Sequence, residues 1–295
     1  MPSEHQSLTD LPSQESVFES LDKSNARLLS ERQVNQHLKM AYWSNTVDRV
    51  SYNADQVHTL SFYLEGGEGS KRLDINKGSG HQGSLCLLPQ YHQSIWEITS
   101  PFKFAHLYFS DDSLKQFAST ALDIEPRLIQ VPELTFHDDK QLVELAQALF
   151  LDSDESPLRY EQNTLSIFEH LLSHSEYCLD KSIPLKGGLS PTALRKVKDY
   201  IHSHFDQTIS IAELAALVNL SDFHLLRMFK LSTGFTPNDY LNYIRVDAAK
   251  RMIAAQESLA NTAADCGFSN QSHLNRVFKK WTGTSPGQYR SALSL

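Results

Sequence analysis

The chain repeats itself. Shifted by 49 residues, His224-Leu225-x-Arg227-x-Phe229-Lys230 falls on His273-Leu274-x-Arg276-x-Phe278-Lys279. The match continues from Thr233-Gly234-x-x-Pro237-x-x-Tyr240 to Thr282-Gly283-x-x-Pro286-x-x-Tyr289. Nine identities in seventeen positions, without compositional bias, require two copies of one supersecondary unit. Any fold for the last hundred or so residues must therefore build the same small motif twice.

Each copy predicts helix, tight turn, helix. In the first, Ser210-Ile211-Ala212-Glu213 has the form of a capping box, and the helix runs through Leu214, Ala215, Leu217 and Val218. Asn219 stands at the turn, where the left-handed conformation is needed. Ser221 caps the next helix, which turns Leu225, Met228 and Phe229 inward and leaves Phe223, Leu226, Arg227 and Lys230 outside. In the second copy Ser258 opens the helix and Gly267 supplies the turn. Asn270 caps a helix that buries Leu274, Val277, Phe278 and Trp281 and presents Gln271, Ser272, Asn275, Arg276 and Lys279. This is helix-turn-helix design, in which the second helix offers polar and basic groups to the major groove of double-stranded DNA. Between the copies, Pro237 to about Ala255 reads as one helix of roughly 19 residues, ~28 Å long. Successive major-groove faces on one side of B-DNA lie about 34 Å apart, so such a helix suits two recognition helices in adjacent turns.

A net charge of −8 speaks against a nucleic-acid partner until the chain is divided. Ser190 to Leu295 carries 12 Lys and Arg against 8 Asp and Glu; the preceding residues carry 15 against 27. Only the part that meets phosphate needs the positive balance. The three cysteines, Cys86, Cys178 and Cys266, form no CxxC pair and read as reduced, buried thiols. The first forty residues are polar, with neither a signal-like start nor a membrane-length apolar run, so a cytoplasmic location without a membrane partner is expected.

The segment from about Leu189 to Ala292 resembles the AraC/XylS family of transcription regulators. The resemblance lies in Gly267-Phe268, in Ser272-His273-Leu274-Asn275-Arg276-Val277-Phe278-Lys279-Lys280 and in Gly283-x-Ser285-Pro286-x-x-Tyr289-Arg290. It implies a sequence-specific DNA-binding regulator, with base-reading positions on Phe223, Leu226 and Arg227 in the first unit and on Ser272 and Arg276 in the second. It also implies a small-molecule effector held by the front half, a homodimer, RNA polymerase as a further partner, and an activator's role. Two residues depart from the family pattern. Thr262 replaces a branched aliphatic residue, which should loosen the second unit, and Leu226 replaces a polar base reader, leaving at most a thymine-methyl contact.

The expected fold class is α+β. An amino-terminal antiparallel β-barrel, cupin-like, is followed by helices and then by an all-α domain of two helix-turn-helix units joined by a long helix. Residues 1–36 read as a loosely ordered extension, in which Val17, Phe18, Leu21, Leu28 and Leu29 suit a short amphipathic helix. Residues 37–182 read as the effector and dimerisation domain, 183–189 as a flexible linker around Gly187-Gly188, and 190–295 as the DNA-binding domain. From Met40 to Phe109 the pattern has period two, with Gly-rich turns, and includes His58 to Leu64, Leu73 with Ile75, Leu85 to Leu88, Ile95 to Ile98 and Phe102 to Phe109. Helical stretches at Asp139 to Leu151 and Pro157 to Asp180 either cover the barrel or form a dimer interface; the pattern leaves both open.

Two enzyme readings compete. Gly83-x5-Pro89 followed by His92 is similar to the second cupin motif, but Tyr91 occupies the glycine position and Ser94 that of a metal-binding histidine. No HxH pair lies upstream, and His58, His81, His92 and His106 are scattered, so neither a metal site nor a cofactor is assigned. A DNA-repair alkyl acceptor needs a reactive cysteine in an electropositive setting, whereas Cys266 lies inside a helix just before a turn glycine. A non-specific chromatin-type binder would want a far more basic chain. No catalytic residue is assigned, and the chain is read as a regulator without enzymatic activity.

Overall fold

Alternating side chains organise the first half of the chain into three layers. The computed structural model describes residues 16–53, 56–150, 157–174, 176–177 and 185–293. Its central layer is a six-stranded antiparallel sheet of β1 (Arg27–Asn35), β2 (Leu38–Asn45), β4 (His58–Gly66), β6 (Ser84–Leu88), β8 (Phe102–Phe109) and β9 (Leu134–Asp138), ordered β1-β2-β8-β4-β6-β9. On one face it meets a three-stranded sheet, ordered β3-β7-β5, made of β3 (Asp48–Asn53), β7 (Gln93–Ile98) and β5 (Ser70–Arg72). Trp43, Tyr63, Phe104 and Tyr108 point into that space and meet Tyr52 and Trp96 from the smaller sheet. Residues one step along, Met40, Leu60, Phe62, Leu107 and Phe109, turn to the opposite face. There they are covered by α2 (Asp111–Ala121), α3 (Lys140–Phe150) and α4 (Pro157–Ser173).

The fold class expected from sequence stands, but the barrel does not close. Among the described residues no ladder joins β1 or β9 to the three-stranded sheet. The β1 edge is instead covered by helices: α1 (Val17–Asp22), α4 and α10 (Gln271–Thr282) all pack against it. Residues 17–35, assigned from sequence to a loosely ordered extension, form α1 and β1; residues 1–15 lie outside the described residues. β1 shows no clean alternation because it is mostly exposed, and its pairing with β2 holds it in place. Leu73 and Ile75 follow β5 rather than extending it, and the Leu73 amide donates to Ile95 O at 2.8 Å.

Leu142, Ala146 and Leu149 of α3 and Ile167, Phe168, Leu171 and Leu172 of α4 are spent on covering the sheet. Asp139 ties these helices together. It accepts from the Leu142 amide at 2.9 Å, lies 2.7 Å from His170 Nε2, and accepts from the Tyr177 hydroxyl at 2.6 Å.

The helical repeat comprises α5 (Pro191–His204), α6 (Ile211–Leu217), α7 (Asp222–Thr233), α8 (Pro237–Ala254), α9 (Leu259–Asp265), α10 and α11 (Pro286–Leu293). Its apolar residues form two cores. One gathers Val197, Ile201, Leu214, Leu225, Phe229, Phe235 and Tyr240; the other gathers Ala249, Ile253, Cys266, Leu274, Val277, Phe278 and Tyr289. α8 serves both cores, with Tyr240 to Ile244 in the first and Val246 to Ile253 in the second. Its 18 residues span ~27 Å.

The linker glycines are tethered. Gly187 and Gly188 take φ values of 72° and 79°, as a flexible reading would allow. Yet a Cβ on Gly188 would stand 2.7 Å from Ser232 Oγ and 2.8 Å from Arg127 Nη1. Arg127 donates to Gly187 O, and the Leu189 amide donates to Ser232 Oγ at 2.8 Å. Glycine at 188 serves close approach to α7 here, a role the sequence pattern did not separate from mobility.

Candidate nucleic-acid interface

Each helix of the repeat is capped by its own sequence. Ser210 and Glu213 close a reciprocal capping box on α6, with Ser210 N–H donating to Glu213 Oε2 at 2.7 Å and Glu213 N–H to Ser210 Oγ at 3.1 Å. Ser221 caps α7, Ser258 caps α9 and Asn270 caps α10. Asn219 and Gly267 make the left-handed turns at φ 54° and 73°. α7 and α10 end on Gly234 and Gly283, again left-handed at φ 75° and 74°. The repeat seen in sequence is a repeat of cap, turn and stop.

α10 presents Gln271, Ser272, Asn275, Arg276 and Lys279 on one exposed face, with Leu274, Val277 and Phe278 beneath. On α7, Phe223 is 76% exposed, Arg227 and Lys230 are exposed, and Leu226 is half-buried. The N-termini of both helices add unpaired backbone N–H groups and the positive end of the helix dipole. Together these groups can accept phosphate and reach base edges. The sequence pattern expects Thr262 to loosen the second unit; its place in the structure is plain. It is fully buried, and its hydroxyl donates to Ser258 O at 2.9 Å, so the polar group is satisfied within its own helix.

The outer face of α7 meets groups that sequence reasoning missed. Asp112, Lys115, Pro126 and Arg127 border one cleft with Phe223, Leu226, Arg227 and Lys230. The two halves of that cleft lie about a hundred residues apart in sequence, and no periodicity links them.

The two described thiols are both buried. Cys266 is buried, which pushes its pKa up to about 11; Cys86 is buried between the sheets and pushed up to about 12. Cys178 lies outside the described residues. The four histidines weighed as metal ligands each face a different partner: His58 Asp111, His81 Asp138, His92 Glu133 and His106 the Tyr108 hydroxyl. No three metal-ligating side chains gather among the described residues. Tyr91, standing where cupins have glycine, takes φ 63°.

Two cavities concern ligands. The inter-sheet space bordered by Tyr52, Tyr63, Cys86 and His106 amounts to about 20 Å³, room for about one water. A cavity of about 310 Å³ lies between the halves, where Val34, His37, Phe117 and Phe168 face Phe235, Tyr243 and Trp281.

Residues 214–292 match the helix-turn-helix domain family model. The carboxy-terminal module is an AraC-type helix-turn-helix domain. The probable transcriptional regulator LumQ of Photobacterium leiognathi is 37% identical over 95 residues, 32% of this chain and 38% of that protein. The HTH-type transcriptional regulator YbfI of Bacillus subtilis is 30% identical over 127 residues, 43% of this chain and 45% of its own length. This chain thus spans less than half the length of these curated relatives. Among solved structures, the C-terminal domain of AraT, a response regulator from Geobacillus stearothermophilus, is 31% identical. It covers 35% of this chain and 86% of its own, with a TM-score of 0.33. ToxT from Vibrio cholerae is 15% identical, covering 88% of this chain and 100% of its own at a TM-score of 0.36.

Proposed function

We propose that this protein is a sequence-specific transcription regulator whose α7 and α10 read adjacent major-groove segments of double-stranded DNA. One observation carries the reading: two capped helices with polar, basic outer faces are held by one 18-residue helix that packs into both their cores. Residues 190–295 are the DNA-binding part, 37–182 the effector and dimerisation part, and 183–189 the connection between them. Phe223, Leu226, Arg227, Lys230, Gln271, Ser272, Asn275, Arg276 and Lys279 are the contacts.

Among these, readers and holders differ. Arg227 and Arg276 occupy matching repeat positions, and arginine is the usual bidentate partner of guanine, worth roughly 1–3 kcal/mol of discrimination. Lys279, a point charge nearly one turn further along, suits phosphate. Binding-site selection with the full chain tests this. Arg276→Ala should relax preference at one or two base pairs and Arg227→Ala at positions about one helical turn away. Lys279→Ala should weaken all sequences alike and flatten the salt dependence. Arginine variants that keep the parental preferences and bind everything less tightly would overturn the readout.

A small-molecule effector controls the protein, held where the front half borders the repeat. The support is spatial: the inter-sheet cavity admits about one water, whereas the 310 Å³ cavity is lined from both sides by aromatic rings. An assembled homodimer, RNA polymerase as a partner and a cytoplasmic location complete the proposal.

A further inference from the structure

The two recognition helices are not equally available. On α10, Arg276 and Lys279 make no ion pair among the described residues, and the front half meets the helix near its end, where the Gln36 amide donates to Lys280 O at 3.2 Å. On α7, Lys230 is already engaged, its Nζ donating to Asp112 Oδ2 at 2.8 Å. Asp112 sits in the first turn of α2, and its neighbour Asp111 pairs with Lys115 at 2.7 Å, so the Asp112 carboxylate is directed to α7.

Uncharged contacts hold α2 in that place. Gln116 Nε2 donates to Gly234 O at 3.2 Å and Ser119 Oγ donates to Thr233 O at 2.8 Å, both at the carboxy-terminal end of α7. A Cβ on Gly234 would come within 3.1 Å of the Gln116 amide, so the elements are in close contact there. Across the cleft from Phe223, Leu226 and Arg227 stand Pro126 and Arg127 of a short 3-10 turn, Pro126–Leu128. The space between is about 490 Å³, the size of a small-molecule site rather than of a duplex.

We propose that α2 and this 3-10 turn act as an internal competitor for DNA. The Asp112 carboxylate occupies on Lys230 the place a backbone phosphate would take, and the wall across the cleft narrows a duplex's approach to the first reading face, although Phe223, Arg227 and Lys230 on that face remain exposed to solvent. A carboxylate and a phosphate are both oxyanions that accept from an ammonium group, and their like charges repel when both approach one Nζ, so they compete for it. The clasp is weak by construction: one exposed ion pair and two neutral hydrogen bonds, which a small displacement of α2 releases. The second unit then engages a duplex first, and the first follows once α2 has moved. This inference rests on reading α7 as a DNA-facing helix.

The test uses the full chain and a duplex recovered by selection, with the dissociation constant measured across a salt series. Asp112→Asn should tighten binding about two- to five-fold, the range open to an exposed ion pair. It should also steepen the salt slope by about one, as Lys230 becomes free to displace a counterion. In a Lys230→Ala background, Asp112→Asn should change nothing. Asp123→Asn, removing a charge just beyond α2, should have no effect in either background. The double variant Gln116→Ala/Ser119→Ala alters no charge and should also tighten binding. Unchanged affinity for Asp112→Asn, or an equal gain without Lys230, overturns the competitor, since the gain would then be general charge removal. Failure of the uncharged double variant to tighten binding overturns the wall. If neither the parent nor any variant binds a duplex at low salt, the DNA-binding reading itself is what fails.

Discussion

Gly283→Ala probes the junction of the front half with the repeat, and its cost can be worked from geometry. Gly283 ends α10 at φ 74° and ψ −13°, a conformation that costs an L-residue roughly 1–2 kcal/mol. A Cβ there would land on the carbonyl oxygen of Val34, in β1. Two residues on, the Gln36 amide donates to Lys280 O at 3.2 Å. β1 must withdraw to admit the methyl group, which removes that hydrogen bond at about 1 kcal/mol. The sum is about 2–3 kcal/mol. Gly287, in the first turn of α11, has nothing within 4 Å of its Cβ position and no positive φ. Gly287→Ala should therefore be neutral or stabilise by up to ~1 kcal/mol through helix propensity. Thermal unfolding of the full chain checks both. Gly283→Ala should lower Tm by roughly 4–12 °C, while Gly287→Ala holds or raises it. Amide exchange at Gln36 should quicken in the first variant alone. A Gly283→Ala protein that melts within about a degree of the parent, with Gln36 still protected, would show that β1 does not approach α10 as described.

Acid titration bears on the Asp139 junction. Burial alone would raise the Asp139 pKa, but donation from Tyr177, the Leu142 amide and His170 outweighs it and holds the carboxyl at about 2. A depressed carboxyl stabilises the fold above its ordinary value of 3.8 and loses that contribution as pH falls toward 2. Stability should accordingly drop between about pH 4 and pH 2, and Asp139→Asn should remove about 1–2 kcal/mol at neutral pH together with that acid limb. An unaltered acid limb in the variant would refute the assignment. Thr262→Val should shift stability by less than about 1 kcal/mol in either direction, because the lost hydroxyl bonds only within its helix. A large loss in chemical denaturation would mean that the hydroxyl supports the second unit after all.

What could be read from the residues was what the residues settle locally. The outer faces of α7 and α10 follow from apolar spacing, and their ends follow from Ser221, Asn270, Gly234 and Gly283, each acting within a few residues. β1 escaped because an exposed edge strand such as Arg27-Leu28-Leu29-Ser30-Glu31 owes its form to its neighbour, and no face of it must be apolar. α2 escaped although Ser110 caps it and Asp111 and Asp112 fill its first turn. Its polar start follows directly on β8, and only Leu114 and Ala118 behind it are fully buried, too few to mark a helical period. Long-range pairing leaves no period at all. Asp112 and Lys230 are 118 residues apart, and nothing on either side of them announces the other. Gly188 shows the same limit in reverse: its sequence permits freedom, while Ser232 and Arg127 from distant elements remove it. The reading faces are therefore legible because they must be built the same way twice, whereas the contacts that govern access to one of them depend on where two halves happen to meet. A variant that alters only Asp112 would leave the caps, turns and outer faces of both recognition helices intact and, on the competitor reading, still change how readily a duplex reaches α7.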